Sequence, residues 1–275
     1  MFELILPSTG TDDTAALDAA IAFASAHGMR LAVAVQAPIP APMTSPWGIG
    51  ADTVLTELYA MVERQAAERA DAIRQRLAHA DVPWDVRVDE ARFVEPPEAF
   101  AQQARYADLA VVGQPQGEDA PVAHAFFNAA LFESGRPVLV LPVRTREFPR
   151  TRRIAVAWKP TREATRAVHD AIALFSPEAV EIVVVDPVEG PGAHGPEPGA
   201  DIAAHLARRG LSVSVVRVAS AGRSVASRVL QHAASTGADM VVAGGYGHAR
   251  FREWILGGAT RDLLEHLALP VLFSH

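Results

Sequence analysis

Short apolar runs alternate along the chain with longer stretches in which apolar residues recur every three or four positions. Runs at 4–7, 31–35, 84–88, 109–112 and 138–141 read as strands. Between them, 11–26 carries Ala15, Leu17, Ile21 and Ala24 at helical spacing, and 52–80 carries Val54, Leu58, Met61, Ile73 and Leu77. Pro96-Pro97 opens a third helix to about 105, where the missing N–H groups have no helical partner anyway. A fourth helix is expected over 123–133. The second part repeats the alternation, with strands at 154–157, 181–185, 212–216, 240–243 and 271–273. Its helices are expected at 162–174, 200–209, 225–236 and 259–267.

The repetition extends to residue identity. Ala107-Asp108-Leu109-Ala110-Val111-Val112-Gly113 matches Ala238-Asp239-Met240-Val241-Val242-Ala243-Gly244, an offset of 131 (113 against 244). Pro137-Val138-Leu139 matches Pro270-Val271-Leu272 at 133, and Ala20-Ile21-Ala22 matches Ala171-Ile172-Ala173 at 151. Three matches in one order indicate duplication, against the alternative that Ala- and Val-rich sequence repeats by chance. The domains are expected at 1–145 and 150–275, joined by a charged linker over 143–153 that contains Pro149. The Pro- and Gly-rich stretch 187–199 reads as a mobile surface loop. Alternating strands and helices give parallel sheets with right-handed crossovers, and nearly all-apolar strands give sheets covered on both faces. The expected fold class is α/β: two tandem doubly wound five-stranded parallel-sheet domains, Rossmann-like. Ligands of such sheets bind at the carboxyl ends of the strands, at the switch point.

Composition narrows the function classes. A net charge of −7 argues against a broad basic face, so no nucleic-acid partner is expected. No cysteine is present, which excludes disulfides, thiolate metal sites and cysteine nucleophiles. Met1-Phe2-Glu3-Leu4 lacks a basic n-region followed by a long apolar stretch, so no signal peptide is expected, and no apolar run is long enough to span a bilayer. A soluble cytoplasmic protein without a membrane partner is expected. The ten histidines show no metal-ligand spacing, and neither a nucleophile elbow nor a P-loop occurs, so no metal site and no catalytic residue is expected.

The sharpest chemical signal is Gly244-Gly245-Tyr246-Gly247, followed by Gly257-Gly258-Ala259-Thr260. It begins after the second part's fourth strand and ends where a helix starts. Glycines let a backbone approach a phosphate, and N–H groups at a helix start favour an anion. The other reading is a loop whose glycines only turn the chain. His248, Arg250 and Arg252 lie inside it, either to neutralise phosphate or as a solvated loop with Glu253 and Asp262 as partners. Trp158 and Tyr246 either line an adenine pocket or pack at the sheet edge.

These glycines, with the ending Pro270-Val271-Leu272, resemble the universal stress protein family and its motif Gly-x2-Gly-x9-Gly-Ser/Thr. The resemblance covers both parts, as in tandem members. It implies a fold like that of adenine nucleotide alpha hydrolases and a stress-response module binding ATP or another adenine nucleotide in the second domain. Gly244, Gly247 and Gly257 match the motif's glycines, and the candidate binding residues are these with His248, Arg250, Gly258, Ala259, Thr260 and Lys159. It also implies an internal pseudo-dimer through the last strand of each domain, with further homodimerisation open. Gly258 stands where the family has Ser or Thr, with Thr260 as a substitute, and Lys159 stands near the position of an Asp after the first strand. In the first domain Gln114-Pro115-Gln116-Gly117 replaces the glycine loop. The rival readings are a scaffold of the same fold with a vestigial pocket, and an enzyme related to ATP pyrophosphatases. The latter lacks its glycine-serine loop, and at most slow ATP hydrolysis is expected.

Overall fold

A computed structural model describes residues 1–9, 13–39, 51–92, 94–142, 144–187, 196–245 and 258–275. The first half runs β1 (Glu3–Ser8), α1 (Thr14–His27), β2 (Arg30–Ile39), α2 (Ala51–Leu77), β3 (Trp84–Arg92), α3 (Pro96–Ala104), β4 (Leu109–Gly113), α4 (Ala120–Glu133) and β5 (Val138–Leu141). The second runs β6 (Arg153–Ala157), α5 (Arg162–Phe175), β7 (Ala179–Val185), α6 (Ala200–Ala207), β8 (Ser212–Val218), α7 (Val225–Thr236), β9 (Met240–Gly244), α8 (Gly258–Glu265) and β10 (Val271–Ser274). All the strands and helices expected from periodicity are present. The loop expected over 187–199 lies mostly outside the described residues.

The strands form one sheet in the order β3-β2-β1-β4-β5-β10-β9-β6-β7-β8. Each half is parallel and has the same order, counted from its first strand. The halves meet where β5 and β10 pair antiparallel, with Val138 opposite Phe273 and Val140 opposite Val271. The fold is therefore a doubly wound α/β fold repeated twice, with a switch point between β1 and β4 and another between β6 and β9.

Period-two alternation assigns the strand side chains to two layers. Leu4, Leu6, Leu109, Val111, Ile154, Val156, Met240 and Val242 face α1, α2, α5 and α6. Ile5, Ala110, Val112, Ala155, Val241 and Phe273 face α3, α4, α7 and α8. Both apolar layers run through both halves. Each fully buried Leu, Ile or Phe contributes about 1.5–3 kcal/mol, so the seam is an extension of the core.

Aromatic contacts close the seam on both faces. Phe127 of α4 meets Phe273 edge-on at 5.3 Å between centroids. On the other face Phe23 of α1 packs against Phe148 of the linker at 5.6 Å and Phe175 of α5 at 5.9 Å. His27 stacks on Phe23 at 4.1 Å. Its Nδ1–H donates to the Phe23 carbonyl at 2.9 Å, and its Nε2 accepts the Thr151 N–H at 3.0 Å. That bond ties the first helix to the segment entering β6.

Candidate functional site

The carboxyl ends of β6 and β9 form the second half's switch point. Gly244 ends β9 and lies against the first turn of α5. A Cβ at this position would stand 2.5 Å from the Ala164 nitrogen and 2.8 Å from the Glu163 carbonyl carbon. Only glycine allows this approach of strand to helix, so Gly244 has a packing reason of its own. Gly245 donates its N–H to Ser274 O at 2.8 Å, and a Cβ on it would meet a methyl of Leu131 in α4 at 2.7 Å. The pair therefore faces α5 on one side and the first half on the other.

The described members of the expected site besides Gly244 are Lys159, Gly258, Ala259 and Thr260. Lys159 is exposed in the turn after β6. The same turn holds Trp158, half-buried, whose N–H donates to Val183 O at 2.9 Å. Gly258 and Ala259 open α8, and Thr260 is buried in its first turn. Gly247, His248, Arg250 and Gly257 lie outside the described residues, as do Tyr246, Arg252 and Glu253. Among the described residues, then, the adjacent ends of β9 and β6 carry a strand-end glycine and, just beyond, an exposed cation, and α8 opens at Gly258.

Sequence reasoning missed the carboxylates that open the first helix of each half. In α5, Thr161 caps the helix by accepting the Ala164 N–H, and Glu163 is buried in the first turn with Arg162 Nε at 2.5 Å. Burial opposes the charge of Glu163. Hydrogen bonds from Arg162, its own backbone N–H and Thr161 outweigh burial and hold its pKa below the usual carboxylate value. In the first half, Asp13 accepts from the Ser8 hydroxyl at 2.7 Å and from the Thr9 N–H at 3.0 Å. Each helix start is thus partly neutralised by its own carboxylate, so an anion in either half needs a partner other than those N–H groups. The start of α8 has no acidic residue in its first turn.

The loop that replaces the glycine motif in the first half has a structural role. Gln114 donates its N–H to Leu141 O at 2.9 Å, as Gly245 does to Ser274. Its amide Nε2 donates to the Glu265 carbonyl at the end of α8 at 3.2 Å, and Gln116 donates to its Oε1 at 2.9 Å. By the repeat, Gln114 and Gly245 are equivalent. Each reaches across the seam, one to α8 and the other to α4.

A second feature had no sequence signal. A cavity of about 160 Å³ opens at the carboxyl ends of β1 and β2, beside α2, and is lined by Ser8, Thr9, Gln36, Val62, Ala66 and Arg69 among others. Among the described residues no group of three or more His, Asp or Glu is placed to hold a metal ion. No described helix is long and apolar enough to cross a membrane.

Residues 150–275 match the sequence model of the Universal stress protein family. The fold is similar to that of a universal stress protein from Archaeoglobus fulgidus, with a TM-score of 0.64 at 15% identity, covering 98% of this chain and 95% of that one. A functionally unknown protein from Pseudomonas aeruginosa aligns over 99% of this chain and 92% of its own at 13% identity, with a TM-score of 0.49. No curated protein matches the chain.

Proposed function

We propose that the chain is a stress-response binding module whose second half holds an adenine nucleotide at the carboxyl ends of β6 and β9. The observation that carries this reading is the match of residues 150–275 to the Universal stress protein family, on a half whose β9 runs straight into the glycine motif. Backbone N–H groups at the start of α8 supply donors for phosphate, and Lys159 supplies charge. Lys159 cannot replace a carboxylate as a metal ligand, so binding depends little on Mg²⁺. Gly258 offers no hydroxyl to the phosphate. One missing hydrogen bond to a charged acceptor is about 1.5–3 kcal/mol, or roughly one to two decades of affinity. The reading assigns no nucleophile and no general base, so the module holds a ligand and does not turn it over rapidly.

Titration calorimetry of ATP, ADP and AMP, with and without Mg²⁺, tests it on the wild type, Gly247→Val and Gly258→Ser. Weak binding that Gly247→Val abolishes and Gly258→Ser strengthens supports the assignment. Equal ATP affinity in the wild type and Gly247→Val counts against it. A scaffold with an abandoned pocket is the second reading. It is favoured by the packing role of Gly244 and by the Glu163 carboxylate at the start of α5.

A further inference from the structure

Gln36 is buried in the first half to 3% exposure, and neither its amide nitrogen nor its amide oxygen has a hydrogen-bond partner. An unsatisfied buried amide costs on the order of a few kcal/mol, so each such group calls for an explanation. The fold itself does not require an amide at this position. Leu31 pairs with Leu4, which pairs with Leu109, and Val180 pairs with Ile154, which pairs with Met240. Leu109 and Met240 are repeat equivalents, so five residues further along Gln36 corresponds to Val185. The second half builds the same strand with an apolar side chain.

The amide lines the cavity at the ends of β1 and β2. Across the cavity Arg69 of α2 is half-buried and makes no ion pair with a described residue. Ser8 and Thr9 add hydroxyls at its floor, and Val62 and Ala66 add an apolar wall. The Ser8 hydroxyl donates to Asp13, which leaves its oxygen free to accept. At about 160 Å³ the space is well below the roughly 300–1,000 Å³ of sites that enclose drug-sized ligands.

We propose that this cavity is a binding site for a small organic carboxylate of amino-acid size that carries a second polar group able both to donate and to accept. The carboxylate pairs with Arg69, whose planar guanidinium suits it. The second polar group satisfies both atoms of the Gln36 amide, which a simple anion cannot do. The site lies in the first half and is independent of nucleotide binding in the second.

The test is thermal unfolding and titration calorimetry of the full chain with L-glutamine, L-glutamate and succinate, and with ATP and AMP for contrast. Gln36→Val copies the residue the second half uses, so it folds, and without solute it melts at or above the wild-type temperature. The expected result is a concentration-dependent rise in wild-type melting temperature with glutamine at millimolar levels, larger than with glutamate or succinate. Affinity falls about tenfold or more in Arg69→Ala and is lost in Gln36→Val. Gly247→Val, which disables the nucleotide motif, leaves this binding intact. The proposal is overturned if no amino-acid-sized carboxylate shifts the wild type, if Gln36→Val binds as tightly, or if ATP alone responds to Gln36→Val. A Gln36→Val variant that melts higher while no probe binds overturns it too, and assigns the amide to internal water.

Discussion

Replacing His27 by phenylalanine tests how the two halves are held together. The substitution keeps a ring on Phe23 and against Phe175 but removes the acceptor for the Thr151 N–H. Thr151 is buried, so its N–H is left without a partner at about 1–3 kcal/mol. The same bond makes stability depend on pH. Burial, the largest influence, pushes the His27 pKa below 6.5. The hydrogen bond to Phe23 O pushes it back up, Arg150 adds to the lowering, and Asp239 opposes it. A histidine with a depressed folded pKa binds fewer protons folded than unfolded. Its contribution is complete above 6.5 and is lost as pH falls from there toward the folded value. In that window one site adds a slope of at most about 1.4 kcal/mol per pH unit. Urea unfolding of wild type and His27→Phe between about pH 8 and pH 5 measures the difference. His124, whose pKa burial also lowers, titrates in both proteins and cancels in the comparison. The variant is expected to be less stable at neutral pH and to approach the wild type on acidification. Parallel curves across the whole range would refute the reasoning.

Three further outcomes are expected. Gly244→Ala places a methyl against the α5 backbone and loses about 1–3 kcal/mol or more, whereas Gly245→Ala meets only the tip of Leu131 and loses less, as thermal unfolding of both will show. Phe127→Ala opens a hole at the β5–β10 seam and lowers stability by about 3–5 kcal/mol by urea titration, with both halves losing structure together because the core is shared. Glu163→Gln removes a buried negative charge beside the proposed nucleotide site and is expected to tighten ATP binding by calorimetry. It also flattens the loss of stability that the wild type shows as pH falls below the ordinary carboxylate value of 4.5, since the folded pKa of Glu163 is depressed.

The fold was legible because its signals are local and periodic. Leu4 to Leu6 and Leu109 to Val112 are too short and too apolar to be anything but buried strands, and the repeat of 107–113 at 238–244 disclosed the second copy. The length of β2 was not legible, because Gln36 and Pro38 interrupt the apolar run that marks the strand to Val35. The site was legible only where glycine spacing marks it. Gly244 was read as room for phosphate, but its nearest neighbour is the α5 backbone, a tertiary contact that no spacing encodes. Glu163 carries no mark in the sequence, because its burial arises where the end of β9 packs against the first turn of α5. Gln36 and His27 gave no signal because each acquires its meaning from residues far away in sequence, Arg69 in one case and Thr151 in the other.

The duplicated frame makes the differences between halves informative. By strand register Ser8 corresponds to Trp158, Thr9 to Lys159 and Gln36 to Val185, the first two pairs at or beyond the ends of β1 and β6, the third inside β2 but at the end of β7. The strand interiors below them are apolar in both halves, so packing does not force the divergence. A polar, neutral edge in the first half stands against an aromatic and cationic edge in the second. Gln114 has meanwhile taken the place of Gly245 and bonds to the end of α8, so the first half no longer has the glycine loop yet supports the helix that begins at the other half's motif. That arrangement couples the halves in one direction. Gln114→Ala removes a hydrogen bond to the last carbonyl of α8 while leaving every residue of the second half unchanged. It should weaken ATP binding without altering the solute site under Gln36. Calorimetry of both ligands on this one variant decides it, and an unchanged ATP affinity would show that α8 is positioned from within its own half.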